Sequence, residues 1–191
     1  MTTKTTIARW ISIVGSPFVL TSLVILTATA EAGGREAALK AVVVVAAAFI
    51  PLGLFMRHRH ISGRWLTIDA SSPADRPALY TVSQIAAAAL FFYFLYVSKL
   101  NQIARGVGVV AVMLCIAAFM NRWIKLSLHL TFAVFAGIVL LKLWPESGLV
   151  VLLFGPCIFW SRLALGRHTV MEALCGVALG AAMSAVEWHI G

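Results

Sequence analysis

Seven apolar stretches dominate this chain, at roughly residues 8–29, 37–56, 78–98, 104–121, 126–144, 148–165 and 169–188. Each approaches the ~20 residues that a helix needs to cross a bilayer. Hydrocarbon offers backbone groups no partner, so runs of this length and polarity lead to helices that satisfy themselves. The expected fold is all-α: a polytopic transmembrane helical bundle of about six to seven spans, forming one domain over residues 1–191. The sixth stretch decides between six and seven, since it carries Pro156 and ends in Ser161-Arg162. Composition agrees, with 61% hydrophobic and only 12% charged residues, against about 25% charged in soluble domains. Turn-like breaks fall at Glu31–Arg35, Ser98–Asn101 and Trp144–Gly148, and Pro17 and Pro156 are expected to kink their helices. Met1–Lys4 precedes the first stretch without an Ala-x-Ala-like cleavage site, which reads as a retained span rather than a signal peptide.

The net charge of +8 does not point to nucleic acid. The basic residues lie mostly between apolar runs, where orientation and anionic headgroups account for them. Cys115, Cys157 and Cys175 sit within apolar stretches, odd in number and without metal-ligand spacing, and read as small buried hydrophobes. Gly176-x-x-x-Gly180 reads as close packing within the chain rather than a dimer face; oligomeric state is otherwise open. With seven spans, ten of the fifteen Lys and Arg residues share a face with the N-terminus. The positive-inside rule then places that face in the cytoplasm, and the protein in the cell (inner) membrane as a multi-pass chain.

Three polar segments converge on that face. In the first, Asp69-Ala-Ser-Ser-Pro-Ala-Asp-Arg76-Pro77, Pro77 suits the first turn of a helix and puts Arg76 at its mouth. There its planar fork could grip phosphate oxygens or anchor to headgroups. The second, Lys125-Leu126-Ser127-Leu128-His129, opens the fifth stretch. Lys125 and His129 share a helix face, and Ser127 offers a hydroxyl. The alternative there is a snorkelling Lys and a structural His. The third, Ser161-Arg162-x5-His168-x3-Glu172, is the most specific. His168 and Glu172 stack one turn apart, so the carboxylate can accept Nδ1–H and leave Nε2 as a nucleophile. Charged groups at the edge of hydrocarbon are expensive and mark function by default.

Together these segments resemble the type 2 phosphatidic acid phosphatase family, which shares a helical core with vanadium haloperoxidases. The family pattern is Lys-x6-Arg-Pro, then Pro-Ser-Gly-His, then Ser-Arg-x5-His-x3-Asp. This chain has Asp69-x6-Arg76-Pro77, then Leu126-Ser127-Leu128-His129, then Ser161-Arg162-x5-His168-x3-Glu172, in the same order over about residues 69–180. It departs in three places: Asp69 stands for Lys, Leu128 for Gly and Glu172 for Asp. Lys125 is the expected replacement for the missing Lys, with Arg64 and Arg167 as other candidates. Asp69 is then expected to point away from the site, capping a helix or pairing with a nearby Arg.

The resemblance implies metal-independent hydrolysis of a lipid phosphate, with no cofactor. Arg76, Lys125, Ser127 and Arg162 would bind the phosphoryl oxygens, His168 would form a phosphohistidine, Glu172 would orient it, and His129 would serve as acid and base. A phospholipid or polyprenyl (di)phosphate would present its phosphate to such a site while its tail stays in lipid. Two alternatives remain: a lipid-linked phosphotransferase using the same intermediate, and a non-catalytic membrane lipid-binding or transport protein.

Overall fold

The computed structural model describes residues 3–190, so the first two residues of the Met1–Lys4 segment lie outside the described residues. Those described form helices and connecting turns, without strands. Helix α1 spans Thr3–Val14 and α2 spans Pro17–Ile61. Gly15 and Ser16 separate them within what the sequence suggests is one span. Ser16 has an extended backbone (φ −72°, ψ 150°), and its Oγ accepts from Val19 N at 3.4 Å, with Pro17 following in the first turn. That is a helix start, and Pro17 begins a helix here instead of kinking one.

Helix α2 is bent back on itself. Gly34 has φ 68° and ψ −168° inside it. An unbroken helix would hold Phe18 and Phe49 about 46 Å apart, yet their rings lie 5.4 Å apart and cross at 66°. Ile25 likewise shares a core with Ala41 and Val45. The two limbs are therefore antiparallel, and glycine's access to positive φ makes the reversal.

Helix α3 (Arg76–Phe92) ends in a π turn over Tyr93–Val97, followed by α4 (Asn101–Met120), α5 (Leu128–Leu143), α6 (Pro145–Ala164) and α7 (Val170–Ile190). Helix α6 stays helical through Pro156. Among the described residues, five helical stretches are long and apolar enough to cross a membrane: Thr3–Ile61, which holds α1 and α2, Arg76–Val97, Asn101–Met120, Pro145–Ala164 and Val170–Ile190; Leu128–Leu143 is apolar but shorter. Val43, Ile50, Ile85, Val112 and Leu153 all face outward, each more than half exposed. A water-soluble surface seldom tolerates so much exposed apolar area.

Helix α5 is the axis of the bundle and packs against α2, α6 and α7. Leu130, Phe132, Ala133, Phe135, Ala136 and Leu140 bury its sides in the largest core. Helix α7 lies on it at backbone distance. A Cβ on Gly176 would come 2.5 Å from Ser127 O, and one on Gly180 would overlap Thr131 O. The Gly-x-x-x-Gly pair thus packs within the chain, as its sequence suggests.

This contact yields a test. Gly176→Ala should lower the midpoint of thermal unfolding in detergent, with a cost of about 1–3 kcal/mol for forcing atoms into a packed seam. Gly155→Ala is the control, since a Cβ there meets nothing within 4 Å; it should hold or raise the midpoint. Equal shifts for both would mean that α7 does not rest on α5 this closely.

Candidate active site

The Ile61–Arg76 connection, the start of α5 and the α6–α7 turn meet at one end of the bundle. Gly166, at φ 62°, ends α6 with a left-handed residue that no Cβ favours. Its N–H returns to Leu163 O at 2.9 Å and that of Arg167 to Arg162 O at 3.0 Å. The turn brings Arg167 and His168 back over the helix end. Thr169 and Glu172 then form a capping box: Thr169 N donates to Glu172 Oε2 at 3.0 Å, and Glu172 N donates to Thr169 Oγ1 at 3.3 Å.

His168 is buried, and its two ring nitrogens face opposite environments. Nδ1 lies 3.1 Å from Lys125 O and 3.3 Å from Glu172 Oε2. The Lys125 carbonyl accepts from Nδ1–H, with the Glu172 carboxylate beside it, which assigns the proton to Nδ1 and leaves the lone pair on Nε2. Nε2 faces Arg76 Nη2 at 3.4 Å, while Arg76 Nη1 donates to Leu126 O at 2.7 Å. Burial, followed by the charges of Arg76, Arg162 and Lys125, pushes the imidazole pKa down to about 3. His168 is therefore a neutral base at physiological pH.

Arg162 is almost fully buried at the end of α6. Its Nη1 donates to Ser12 Oγ of α1 at 2.6 Å and its Nη2 to Asp69 Oδ2 at 2.9 Å. Asp69 thus pairs with an Arg, as expected, but that Arg belongs to the site, so the carboxylate points into it and not away. A buried guanidinium needs a counter-charge, and this carboxylate supplies one across 93 residues of chain. Arg167 Nε stands 3.9 Å from the same oxygen, and its Nη1 donates to Ser71 Oγ at 2.9 Å. Burial alone would raise the Asp69 pKa, but the Arg162 charge and hydrogen bond, with Arg167, hold it well below the carboxylate range.

These groups stand around one end of a cavity of about 1010 Å³. Asp69, Arg76, His129, Arg162, Arg167 and His168 all line it. One stripe of α5 lines it from His129 through Phe132, Phe135 and Val139 to Lys142, a length of about 20 Å. The middle of the wall is apolar, with Leu79, Ala86 and Leu90 of α3 and Val107 and Val110 of α4. Polar groups return at the far end, where Gln102, Lys142 and Glu187 join the wall.

Of the seven residues singled out from sequence, Arg76, His129, Arg162 and His168 share this wall. Glu172 backs His168 from behind. Lys125 does not take the place expected of it: its Nζ lies 3.8 Å from Glu172 Oε2, outside the cavity lining. The carboxylate at the start of α7 draws it there. Ser127 is also outside the lining; it is fully buried and its Oγ has no partner among the described residues. Sequence reasoning missed Ser12 and the capping role of Thr169. The Thr-x-x-Glu spacing could have revealed the second; nothing local marks Ser12. No group of three or more His, Cys, Asp or Glu side chains suited to a metal occurs among the described residues.

No family model matches the chain, and neither a curated protein nor a solved structure matches it.

The depressed His168 pKa fixes a sign. Between about pH 6.5, where an unperturbed His titrates, and about pH 3, the unfolded chain binds this proton and the folded chain does not. Stability contributed by neutral His168 is therefore present above pH 6.5 and lost on acidification through that window. The thermal midpoint of the wild type should fall from pH 7 to about pH 4, and His168→Asn should flatten part of that slope. An unchanged slope in the variant would show that His168 is not held neutral.

Proposed function

We propose that this protein is a membrane-embedded lipid phosphate phosphatase of the type 2 phosphatidic acid phosphatase kind, working through a phosphohistidine. One observation carries the reading: His168, its Nδ1 held by Lys125 O with the Glu172 carboxylate beside it, presents Nε2 among the buried guanidinia of Arg76 and Arg162 at the polar end of an otherwise apolar cavity. Guanidinium donors suit the equatorial oxygens of a transferring phosphoryl group. The apolar wall suits a hydrocarbon tail. A phospholipid or polyprenyl (di)phosphate has both parts.

In this reading the phosphoryl group displaces Arg76 Nη2 from His168 Nε2, 3.4 Å away, and lodges beside both. Nε2 attacks phosphorus as the ester P–O bond breaks, and the imidazolium that forms is stabilised by Glu172 and Lys125 O. His129, on the same wall, enters the step as an imidazolium and gives its proton to the leaving oxygen. It then takes one from the water that cleaves the P–N bond, which regenerates neutral His168 and releases phosphate. Arg76 and Arg162 stabilise charge in both steps, with Arg167 as the third guanidinium in place of Lys125. Lys125 instead fixes the Glu172 carboxylate. Taking each limb of the α2 hairpin and the short α5 as crossings gives seven spans. The N-terminus then lies on the site side, which agrees with Ser12 of α1 reaching Arg162. By charge we place that side in the cytoplasm, in the cell (inner) membrane.

A second reading has its own support. Asp69 already occupies Arg162, and the cavity continues to a polar far end at Lys142 and Glu187. Both would suit a non-catalytic lipid-binding or transport protein.

Phosphate release from a panel of lipid phosphates in detergent separates the two. The phosphatase should turn over at least one of them, and do so in the presence of a chelator. His168→Ala should abolish turnover without unfolding the protein. Arg76→Ala and Arg162→Ala should each lower kcat by on the order of 10²–10³, the usual loss for a transition-state donor. Lys125→Ala should cost less than either. Release that persists in His168→Ala above a few per cent would rule out the covalent route, and no release from any substrate would favour the binding protein.

A further inference from the structure

Four buried polar atoms at the polar end of the cavity make no close hydrogen bond. Arg76 Nε and Arg162 Nε have none, Arg167 Nε has only its 3.9 Å ion pair, and Asp69 Oδ1 has none, although the Thr67 hydroxyl is a donor near the carboxylate. Buried polar atoms are expensive to leave unpaired, and each such atom in a native site calls for an explanation. The chain also accepts backbone strain to keep the carboxylate there. Ala70, directly after Asp69, has φ 48° and is fully buried. A non-glycine residue in the left-handed region persists only where its surroundings hold it, and such residues gather at functional sites.

A fully ionised phosphoryl dianion offers acceptors only. It would satisfy the guanidinia while facing the Asp69 carboxylate as a like charge. A singly protonated phosphoryl group offers several acceptors and one O–H donor, the complement of what the site leaves unpaired. We propose that Asp69 selects this form: its Oδ1 accepts the P–OH hydrogen bond while the guanidinium groups take the remaining oxygens. The inference rests on the lipid-phosphate reading above. It makes Asp69 a specificity-determining residue that sets which ionisation state of the ligand binds.

The groups around Asp69 come from every neighbouring element. Arg162 and Ser12 belong to α6 and α1, Arg167 and His168 to the α6–α7 turn, Arg76 to α3 and His129 to α5. Arg9 and His60 line the same cavity from α1 and α2. Because these groups feel the Asp69 charge, two ligands are also compared in the wild type at one pH, where the histidines act alike on both.

The test uses the full-length protein in detergent and a non-hydrolysable long-chain alkylphosphonate, with Kd measured between about pH 5.5 and 8.5, a range that brackets second ionisations of this kind. In the wild type, affinity should weaken by up to roughly tenfold per pH unit above the phosphonate's second pKa, as the P–OH form disappears. In Asp69→Asn the slope should flatten, because an amide can donate to the dianion. The phosphonate monomethyl ester keeps one negative charge but lacks the P–OH. It should bind the wild type at least tenfold more weakly than the singly protonated phosphonate. That arm needs no variant, so it decides the matter even if Asp69→Asn fails to fold. Wild-type affinity that is flat or rises with pH, slopes that run parallel in both proteins, or equal binding of the methyl ester would each overturn the inference while leaving the lipid-phosphate reading intact. Failure of the phosphonate to bind at any pH would remove that reading as well.

Discussion

Ser127 N donates to Glu172 O at 3.0 Å where α7 comes down on the start of α5. Main chain meets main chain there because Gly176 brings no side chain to the seam. Much of the polar end follows from that contact. It sets Lys125 O to accept from the His168 Nδ1–H and brings the Glu172 carboxylate within 3.3 Å of the same nitrogen. It fixes the direction in which α5 leaves, and with it His129 and the stripe that lines the cavity. A bulkier residue at 176 would lift α7 and draw Glu172 away from Lys125 and the imidazole.

The second constraint is charge. Arg76 and Arg162 are buried at one end of a bundle whose interior is otherwise apolar. A guanidinium stays ionised, so burying it calls for a partner or for several hydrogen bonds. The fold meets this unequally. Arg76 relies on a backbone carbonyl and an imidazole, while Arg162 has a carboxylate and a hydroxyl. Burial of the His168 ring, reinforced by their combined field, holds it neutral. The burial that makes the arginines costly thus also keeps the base free of its proton.

Much of the helical layout was legible in the sequence because it depends on local composition. Apolar runs bounded by Gly, Pro and polar residues gave α3 to α7 to within a few residues, and the Gly33–Gly34 break marked the reversal in α2. Short-range chemistry was legible too: His168 and Glu172, four residues apart, do meet. What was not legible depends on separation along the chain. Asp69 meets Arg162 across 93 residues and Arg162 meets Ser12 across 150, and no periodicity encodes either pairing. Lys125 shares a helical spacing with His129, which suggested a common target. However, α5 begins only at Leu128, so that spacing did not apply, and the nearer carboxylate of Glu172 holds the lysine instead.

The capping box at Thr169 and Glu172 has a consequence for how the protein loses its shape. One carboxylate both closes the first turn of α7 and steadies His168. Helix ends fray well below the free energy of global unfolding. When this turn opens, Glu172 leaves the imidazole in the same event, while the rest of the bundle stays folded. The working geometry of the site is therefore only as durable as one helical turn, and heat should reach it before it reaches the core.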